Sequence, residues 1–354
     1  MTVPETVSAA TMQAVRITAH GGPEVLEVVQ VPVPAPAAGQ VLVQVRAVAL
    51  NNTDLWTRQG AYGLPGDPDA LAGWRGPVDF PRIQGADVAG IVAAVGPDVA
   101  EDLVGRRVVI DPARYDAETP DANPVGLMGS EWDGGYAEHV LAPAQRIHDV
   151  TSSPLSDAQL AALPTAYGTA LGMIERGRVR AGDTVLVTGA SGGVGLAAVQ
   201  LARARGATVL AVSSGAKLAT VREAGAHEVI DRGADVVEQA RTAAPDGVDV
   251  VLDVVAGQLV GEGLPLLREG GRWVIVGALG GHEVAFDVRR LYLHNIQLIG
   301  SSMHTPAHFD LLMDTARAGQ VQPVIAATFP LGQAARAQEE LGQRNHVGKI
   351  VLQP

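Results

Sequence analysis

The sequence predicts a two-part α/β protein, in which a doubly wound parallel sheet is joined to a β-rich domain. Three observations carry this. Strands and helices alternate from about residue 156. Within that stretch a glycine-rich turn joins one strand directly to one helix. The first 150 residues read instead as short β runs punctuated by Pro and Gly. With 354 residues, 47% of them hydrophobic, the chain has apolar material for two cores.

The β runs fall at 14–17, 26–31 and 41–50, separated by Gly21-Gly22-Pro23 and by the Pro-rich stretch 32–39. Such runs between turn residues predict strands. Residues 60–82 hold too many Gly and Pro for a helix and predict a long loop, with Trp74 and Phe80 in it. Further strands are expected over 83–95, 107–110 and 135–141.

From 156 to 177 apolar residues recur at helical spacing. Strands then follow at 184–187, 208–212, 228–230, 249–255 and 272–276. The helices between them fall at 194–205, 216–224, about 236–243 and about 259–267. Alternation with short glycine-containing links implies parallel strands with right-handed crossovers. A helix over 309–318 and a strand pair at 326–329 and 349–352 finish the chain. The resulting division is 1–155, 156–303 and 304–354, the last returning to the first.

Net charge is −12, which repels phosphate backbones and argues against a nucleic-acid partner. No apolar run reaches membrane-spanning length, and the N-terminal residues carry neither a basic nor an apolar targeting region. The expectation is a cytoplasmic chain acting on a small molecule. Without cysteine, disulfides and thiolate metal sites are impossible.

Strand 184–187 runs into Thr188-Gly189-Ala190-Ser191-Gly192-Gly193-Val194-Gly195 and then an apolar helix. A bare glycine spacing says little; strand, tight turn and helix start together say much more. Glycines admit a pyrophosphate to the backbone, and the helix N-terminus offers N–H groups and positive potential. Gly189, Ser191, Gly192, Gly193, Val194 and Gly195 are therefore candidate cofactor ligands. The next strand ends in Ser213-Ser214, with Lys217 following, where an NAD enzyme usually carries Asp or Glu. Hydroxyls and a lysine accept a 2′-phosphate that a carboxylate would repel, so NADP(H) is favoured.

The set of motifs resembles one family. Met12-Gln-Ala-Val, Gly21-Gly-Pro-Glu-Val-Leu-Glu27, Leu50-Asn-Asn-Thr-Asp54, Gly85-Ala-Asp-Val-Ala-Gly90, Gly134-Gly-Tyr-Ala-Glu138 and Gly348-Lys-Ile-Val351 together resemble medium-chain quinone oxidoreductases over about 12–354. The resemblance implies a Rossmann domain inserted into a GroES-like catalytic domain. It also implies a homodimer through the sheet edge near Leu298 to Ser302. Zinc enzymes of that superfamily place Cys, His-Glu and Cys around a catalytic metal. Here those positions hold Asn51, Ala86-Asp87 and Thr165, a poor set, and no structural-zinc cysteines stand within 111–130. No metal is expected. Asp87 is expected to bond the backbone of its own domain, and Asp54 to cap a turn or helix.

By the same resemblance Asn51 and Tyr62 are the catalytic candidates, Asn51 beside the nicotinamide and Tyr62 at the substrate mouth. Thr169, Gly277, Ala278 and Leu279 flank the nicotinamide, and Arg232 stands near the adenosine end. Tyr167, His139 and His294 are taken as structural. The expected activity is zinc-free, NADPH-dependent reduction of a quinone or an activated C=C bond. Two alternatives stand beside it: a tailoring reductase or non-redox cyclase of secondary metabolism, and a non-catalytic NADP-binding protein.

Overall fold

The computed structural model describes residues 10–62 and 73–354. The first nine residues of the N-terminal lead-in and the middle of the expected loop, 63–72, lie outside it. Strand Gln40–Ala49 organises the β-rich part. Val43, Val45 and Ala47 are buried while Gln44 and Arg46 between them are exposed, the alternation of a half-buried strand. It pairs antiparallel with Asp87–Val95 on one side and His139–Pro143 near its start, and with Lys349–Gln353 near its end. Lys349–Gln353 in turn pairs parallel with Ile325–Pro330. The C-terminal stretch thus completes a sheet begun by the N-terminal one, as a GroES-like fold requires.

The second large sheet has six strands, all parallel, in the order Glu228–Asp231, Thr208–Ser213, Thr184–Val187, Val248–Asp253, Leu267–Ile275, Gln297–Gly300. This is the Rossmann order. Its direction of winding reverses on either side of Thr184–Val187, and ligands bind in the crevice at the carboxyl ends there. Val185, Val187, Val250, Leu252 and Val274 fill one face together with helix Gly193–Ala204. Leu186, Leu210, Val251 and Trp273 fill the other.

Several elements differ from expectation, each for a local reason. The strand expected over 83–95 is broken: Gly85 has φ +97 and a Cβ there would meet the Tyr136 ring at 2.4 Å, so the regular strand starts at Asp87. The strand expected over 135–141 begins only at His139, because the 134–136 amides donate instead to the carbonyls of Ile83, Gln84 and Gly85. The helix over 156–177 is divided by a π-helical turn, Leu163–Tyr167. Pro164 has no N–H for the regular ladder and its ring crowds the preceding carbonyls, which favours the wider turn. The helix over 259–267 stops at Gly263, one residue before the Leu264-Pro265 turn, and that over 216–224 shrinks to Leu218–Glu223. Helix Ala334–Gln343 was not expected.

Candidate active site

At the end of Thr184–Val187 the chain turns through Gly189, φ +56, and enters helix Gly193–Ala204 with Gly192 as its N-cap. A Cβ on Gly195 would lie 2.3 Å from the Gly189 carbonyl oxygen, so only glycine lets this helix sit so close to the strand end. The first turn of any helix has N–H groups without intrahelical acceptors. The loop is anchored from below by Thr188, whose hydroxyl donates to Asp253 Oδ1 at 2.5 Å. Asp253, fully buried, also accepts from the amides of Val255 and Ala256 and from Trp273 Nε1. Neither Thr188 nor Asp253 was singled out from sequence; their contact spans 65 residues.

At the end of the neighbouring strand the Ser213 hydroxyl is buried and lacks any hydrogen-bond partner among the described residues. A buried hydroxyl left unpaired is costly, so this is a position suited to an added acceptor. Ser214 caps the short turn Gly215–Lys217. Lys217 Nζ donates to the carbonyl oxygen of Arg344, which closes helix Ala334–Gln343 in the other sheet's territory. Arg232 is exposed and gives its amide to the Ser213 carbonyl. Arg344 thus joins a patch whose sequence candidates were Ser213, Ser214, Lys217 and Arg232.

Gly277 follows the fifth strand, where a Cβ would meet the Val254 carbonyl oxygen at 2.8 Å; Ala278 and Leu279 beyond it are exposed. Thr169 is buried on helix Gly168–Arg176, its hydroxyl 3.8 Å from Met303 Sδ. Met303 packs with Ala86, Ala113, Tyr115, Ala122 and Leu127, and Trp74 lies against them. This small apolar cluster joins Ala86 to the segment that follows the parallel sheet.

Asn51 is the N-cap of helix Asn52–Gln59. Its amide donates to Asp54 at 2.7 Å, which makes Asp54 the capping carboxylate, as expected. Its side-chain oxygen accepts from Lys349 Nζ at 2.5 Å. Its Nδ2 has only a long contact, 3.4 Å, to the Ala49 carbonyl oxygen. The Lys349 ammonium also faces Asp87 Oδ2 at 3.3 Å. Asp87 Oδ1 accepts from the Thr165 amide at 2.8 Å. The expectation for Asp87 is therefore corrected: its partners are Thr165, beyond the β-rich stretch, and a lysine, because the carboxylate points across the seam. Lys349 was missed as a site residue. Burial pushes the Asp54 carboxyl up to about 7, with the nearby Asp87 charge adding to the effect and Lys349 opposing it.

Tyr62 donates from its hydroxyl to Thr53 Oγ1 at 2.9 Å and stands edge-on to Trp56. It therefore lies against the first turn of the Asn51 helix, at Thr53, two residues along from Asn51. Burial raises its hydroxyl well above the ordinary tyrosine range. Phe80 packs edge-on against His20. Tyr167 bonds Gln200, and His294 contacts Arg290 and Glu269.

Two family descriptions match the chain: an alcohol dehydrogenase GroES-like domain over residues 37–152 and a zinc-binding dehydrogenase domain over 193–318. A quinone oxidoreductase of Rattus norvegicus is 36% identical, the match covering 96% of this chain and 97% of that protein. An NAD-dependent alcohol dehydrogenase of Sulfurisphaera tokodaii is 30% identical over 97% of this chain and 100% of its own. A solved structure from Sinorhizobium meliloti 1021, provisionally named an alcohol dehydrogenase, superposes with a TM-score of 0.92 at 42% identity. It covers 99% of this chain and 98% of its own.

Proposed function

Since the chain belongs to the medium-chain dehydrogenase/reductase superfamily and is quinone oxidoreductase-like, an oxidoreductase using a nicotinamide cofactor, we propose that it reduces a quinone or the activated C=C bond of an α,β-unsaturated carbonyl with NADPH and without zinc. The observation that carries this reading is the Lys349 ammonium set against Asn51 Oδ1 and Asp87 Oδ2.

A zinc ion does not fit that donor set. It would need the same two oxygens that hold the ammonium, and a second cation there is repelled. Ala86 offers no donor, and Asp87 Oδ1 is already bonded to an amide. Among the described residues no three His, Asp or Glu side chains gather as metal ligands, and the sequence holds no cysteine. This donor set favours chemistry that rests on hydrogen bonds.

The nicotinamide cofactor does fit. The Gly189–Gly195 loop would hold its pyrophosphate, and Thr169, Gly277, Ala278 and Leu279 would flank its nicotinamide. Ser213, Ser214 and Lys217, with Arg232 nearby, would hold the adenosine phosphate. The unpaired buried Ser213 hydroxyl and the absence of a carboxylate at 213–217 favour the 2′-phosphate form. When bound, a reduced nicotinamide supplies a hydride to the β-carbon of an enone.

The chain's own part is to receive the charge that results. As the C=C π bond breaks, its electron pair forms the new bond between the α-carbon and the carbonyl carbon, and the carbonyl π pair moves onto oxygen to give an enolate. Asn51 Nδ2, whose partner oxygen is fixed by Lys349, is the donor positioned to steady that oxygen. Asn51 does not ionise, so it orients and stabilises while water delivers the proton to the α-carbon. Tyr62, held by Thr53, borders the entry, and the cluster of Ala86, Ala113 and Met303 supplies an apolar wall.

We place the protein in the cytoplasm as a homodimer. The last strand of the parallel sheet, Gln297–Gly300, is an unpaired edge. Beside it helix Val288–Leu293 exposes Val288, Tyr292 and Leu293 by 60% or more. Apolar residues beside a free strand edge favour pairing with a second copy.

The test is NADPH and NADH oxidation over a panel of quinones and enones, on protein whose metal content has been measured. Turnover with NADPH on such acceptors by metal-free protein is expected. Stoichiometric zinc whose removal abolishes activity would overturn the metal-free reading. Tight NADPH binding with no turnover on any acceptor would favour a non-catalytic binding protein.

A further inference from the structure

The chain contains only two lysines, Lys217 and Lys349, against 24 arginines. Positive charge on this molecule is otherwise carried by guanidinium, including buried examples such as Arg58 and Arg82. Lys217 reaches from the parallel sheet's side to the Arg344 carbonyl, whereas Lys349 lies between Asn51 and Asp87 within the β-rich part, beside Gly193 of the phosphate loop. A lysine differs from an arginine in having a compact, tetrahedral point charge on a narrow stem. At Lys349 the need for a narrow stem is visible. Its side chain is 6% exposed, and a Cβ placed on Gly193 of the phosphate loop would come within 3.0 Å of its Cδ.

We propose that Lys349 is a positioning residue for the reduction, acting through Asn51. Its ammonium holds the carboxamide oxygen at 2.5 Å, which fixes the amide so that Nδ2 is the group left to donate. It also draws electron density toward Oδ1, which makes the Nδ2 hydrogens better donors to a developing enolate oxygen. Asp87, anchored by the Thr165 amide, holds the ammonium in turn. Without Lys349 the Asn51 amide is free to turn over and present its oxygen, which repels the enolate instead of stabilising it. An arginine is not expected to substitute, because its planar fork is bulkier than the narrow lysine stem that passes Gly193.

This inference rests on the reading of Asn51 as the enolate-stabilising donor, and the experiment separates the two. Lys349→Met, Lys349→Arg, Asn51→Ala and Lys349→Met/Asn51→Ala are compared for kcat and KM with 1,4-benzoquinone and 2-cyclohexenone. NADPH affinity is followed by its fluorescence on binding. Lys349→Met is expected to lower kcat by about 10- to 100-fold, part of the loss typical for an oxyanion donor. The NADPH Kd should stay within about twofold, because the two roles are separable. Lys349→Arg should not restore kcat. In the Asn51→Ala background Lys349→Met should cost less than about twofold, as residues acting through one another do.

Should Lys349→Met fail to fold, Lys349→Met/Asp87→Asn against Asp87→Asn alone gives the same comparison with no Asp87 carboxylate left unpaired. A raised NADPH Kd at native kcat would make the ammonium a phosphate ligand and overturn the proposal. So would losses that multiply fully in the double variant, or full rescue by arginine. Native turnover by Asn51→Ala would defeat the Asn51 reading itself, and this proposal with it.

Discussion

The two halves of the candidate site are built on opposite principles. The phosphate side is backbone: Gly189, Gly192 and Gly195 remove side chains so that a helix start and a strand end meet closely. Its few polar side chains, Thr188 and Asp253, serve to brace the turn. The Asn51 side is side chain. A carboxamide, two carboxylates and an ammonium are packed together, and each of them is at most 8% exposed. A third buried chain, Arg58 to Gln338 to Gln84 to the Asp54 carbonyl, supports the helix that carries them. A backbone site tolerates many ligands of one charge. A side-chain cluster is tuned to one charge distribution, and loses function when any member is altered.

That contrast can be broken from either side. The largest effect is expected at Asn51: Asn51→Ala should lower kcat by about 10²–10³ while the NADPH Kd stays nearly native. Stopped-flow hydride transfer with a fluorescence-derived Kd separates the two; equal loss in both would make Asn51 a structural residue. Next comes Gly195→Val, which drives a side chain into the Gly189 carbonyl, otherwise 2.3 Å from a Cβ. Overpacking of about 1–3 kcal/mol should weaken NADPH binding by roughly tenfold or more. The pH dependence around Asn51 should remain native in that variant.

A smaller change is expected from Lys217→Ala. It should narrow the preference for NADPH over NADH by about tenfold, the value of one charge-assisted contact, with NADH affinity nearly unchanged. Equal affinity of the native protein for both cofactors would remove the 2′-phosphate assignment.

The smallest effect concerns stability. The folded Asp54 carboxyl, pushed up to about 7 from 3.8, keeps its proton where the unfolded chain has lost it. Stability from this group therefore falls as pH rises from about 4 to about 7, by a few kcal/mol at most. His308 works in the opposite sense. Burial, helped by Arg176, holds it down to about 4 from 6.5, so its contribution is lost as pH falls from about 6.5 to about 4. The two slopes partly cancel in the native protein. Asp54→Asn should expose the His308 slope, giving a variant whose urea-unfolding stability rises from pH 4 to pH 7 relative to native. A constant difference across that range would mean that Asp54 does not hold a proton.

The same contrast explains what could be read in advance. The phosphate turn was legible because strand, glycines and helix lie within a dozen consecutive residues. Alternation pointed to a parallel sheet and to five of its strands, while the sixth, Gln297–Gly300, entered only as a sheet edge implied by resemblance. Asn51 emerged only through resemblance, since an N-cap Asn carries no signal of its own. Lys349 gave none either: its partners are 262 and 298 residues away, and Gly-Lys before an apolar run looks like a strand with a solvated first residue. Helix Ala334–Gln343 shows how burial hides periodicity. Ala334, Ala337 and Leu341 face inward at helical spacing, but Gln338 shares that face because Arg58 and Gln84 satisfy it there. The π-helical turn at Leu163–Tyr167 depends on one proline within a pattern that otherwise reads as continuous helix.

The pairing of Gln40–Ala49 with Lys349–Gln353 also sets a folding problem. Those strands are separated by about three hundred residues, and the entropy of closing a loop grows with the logarithm of its length. The parallel sheet lies within that loop. Once folded it is rigid and brings its own ends near one another, so the span left to close is far shorter than the sequence suggests. The nucleotide-binding unit is in this sense a clip, and assembly of the Asn51 cluster waits on it. Long-range pairing of this kind forms late. The buried charges therefore meet only after the surrounding apolar packing is in place to define where each one goes.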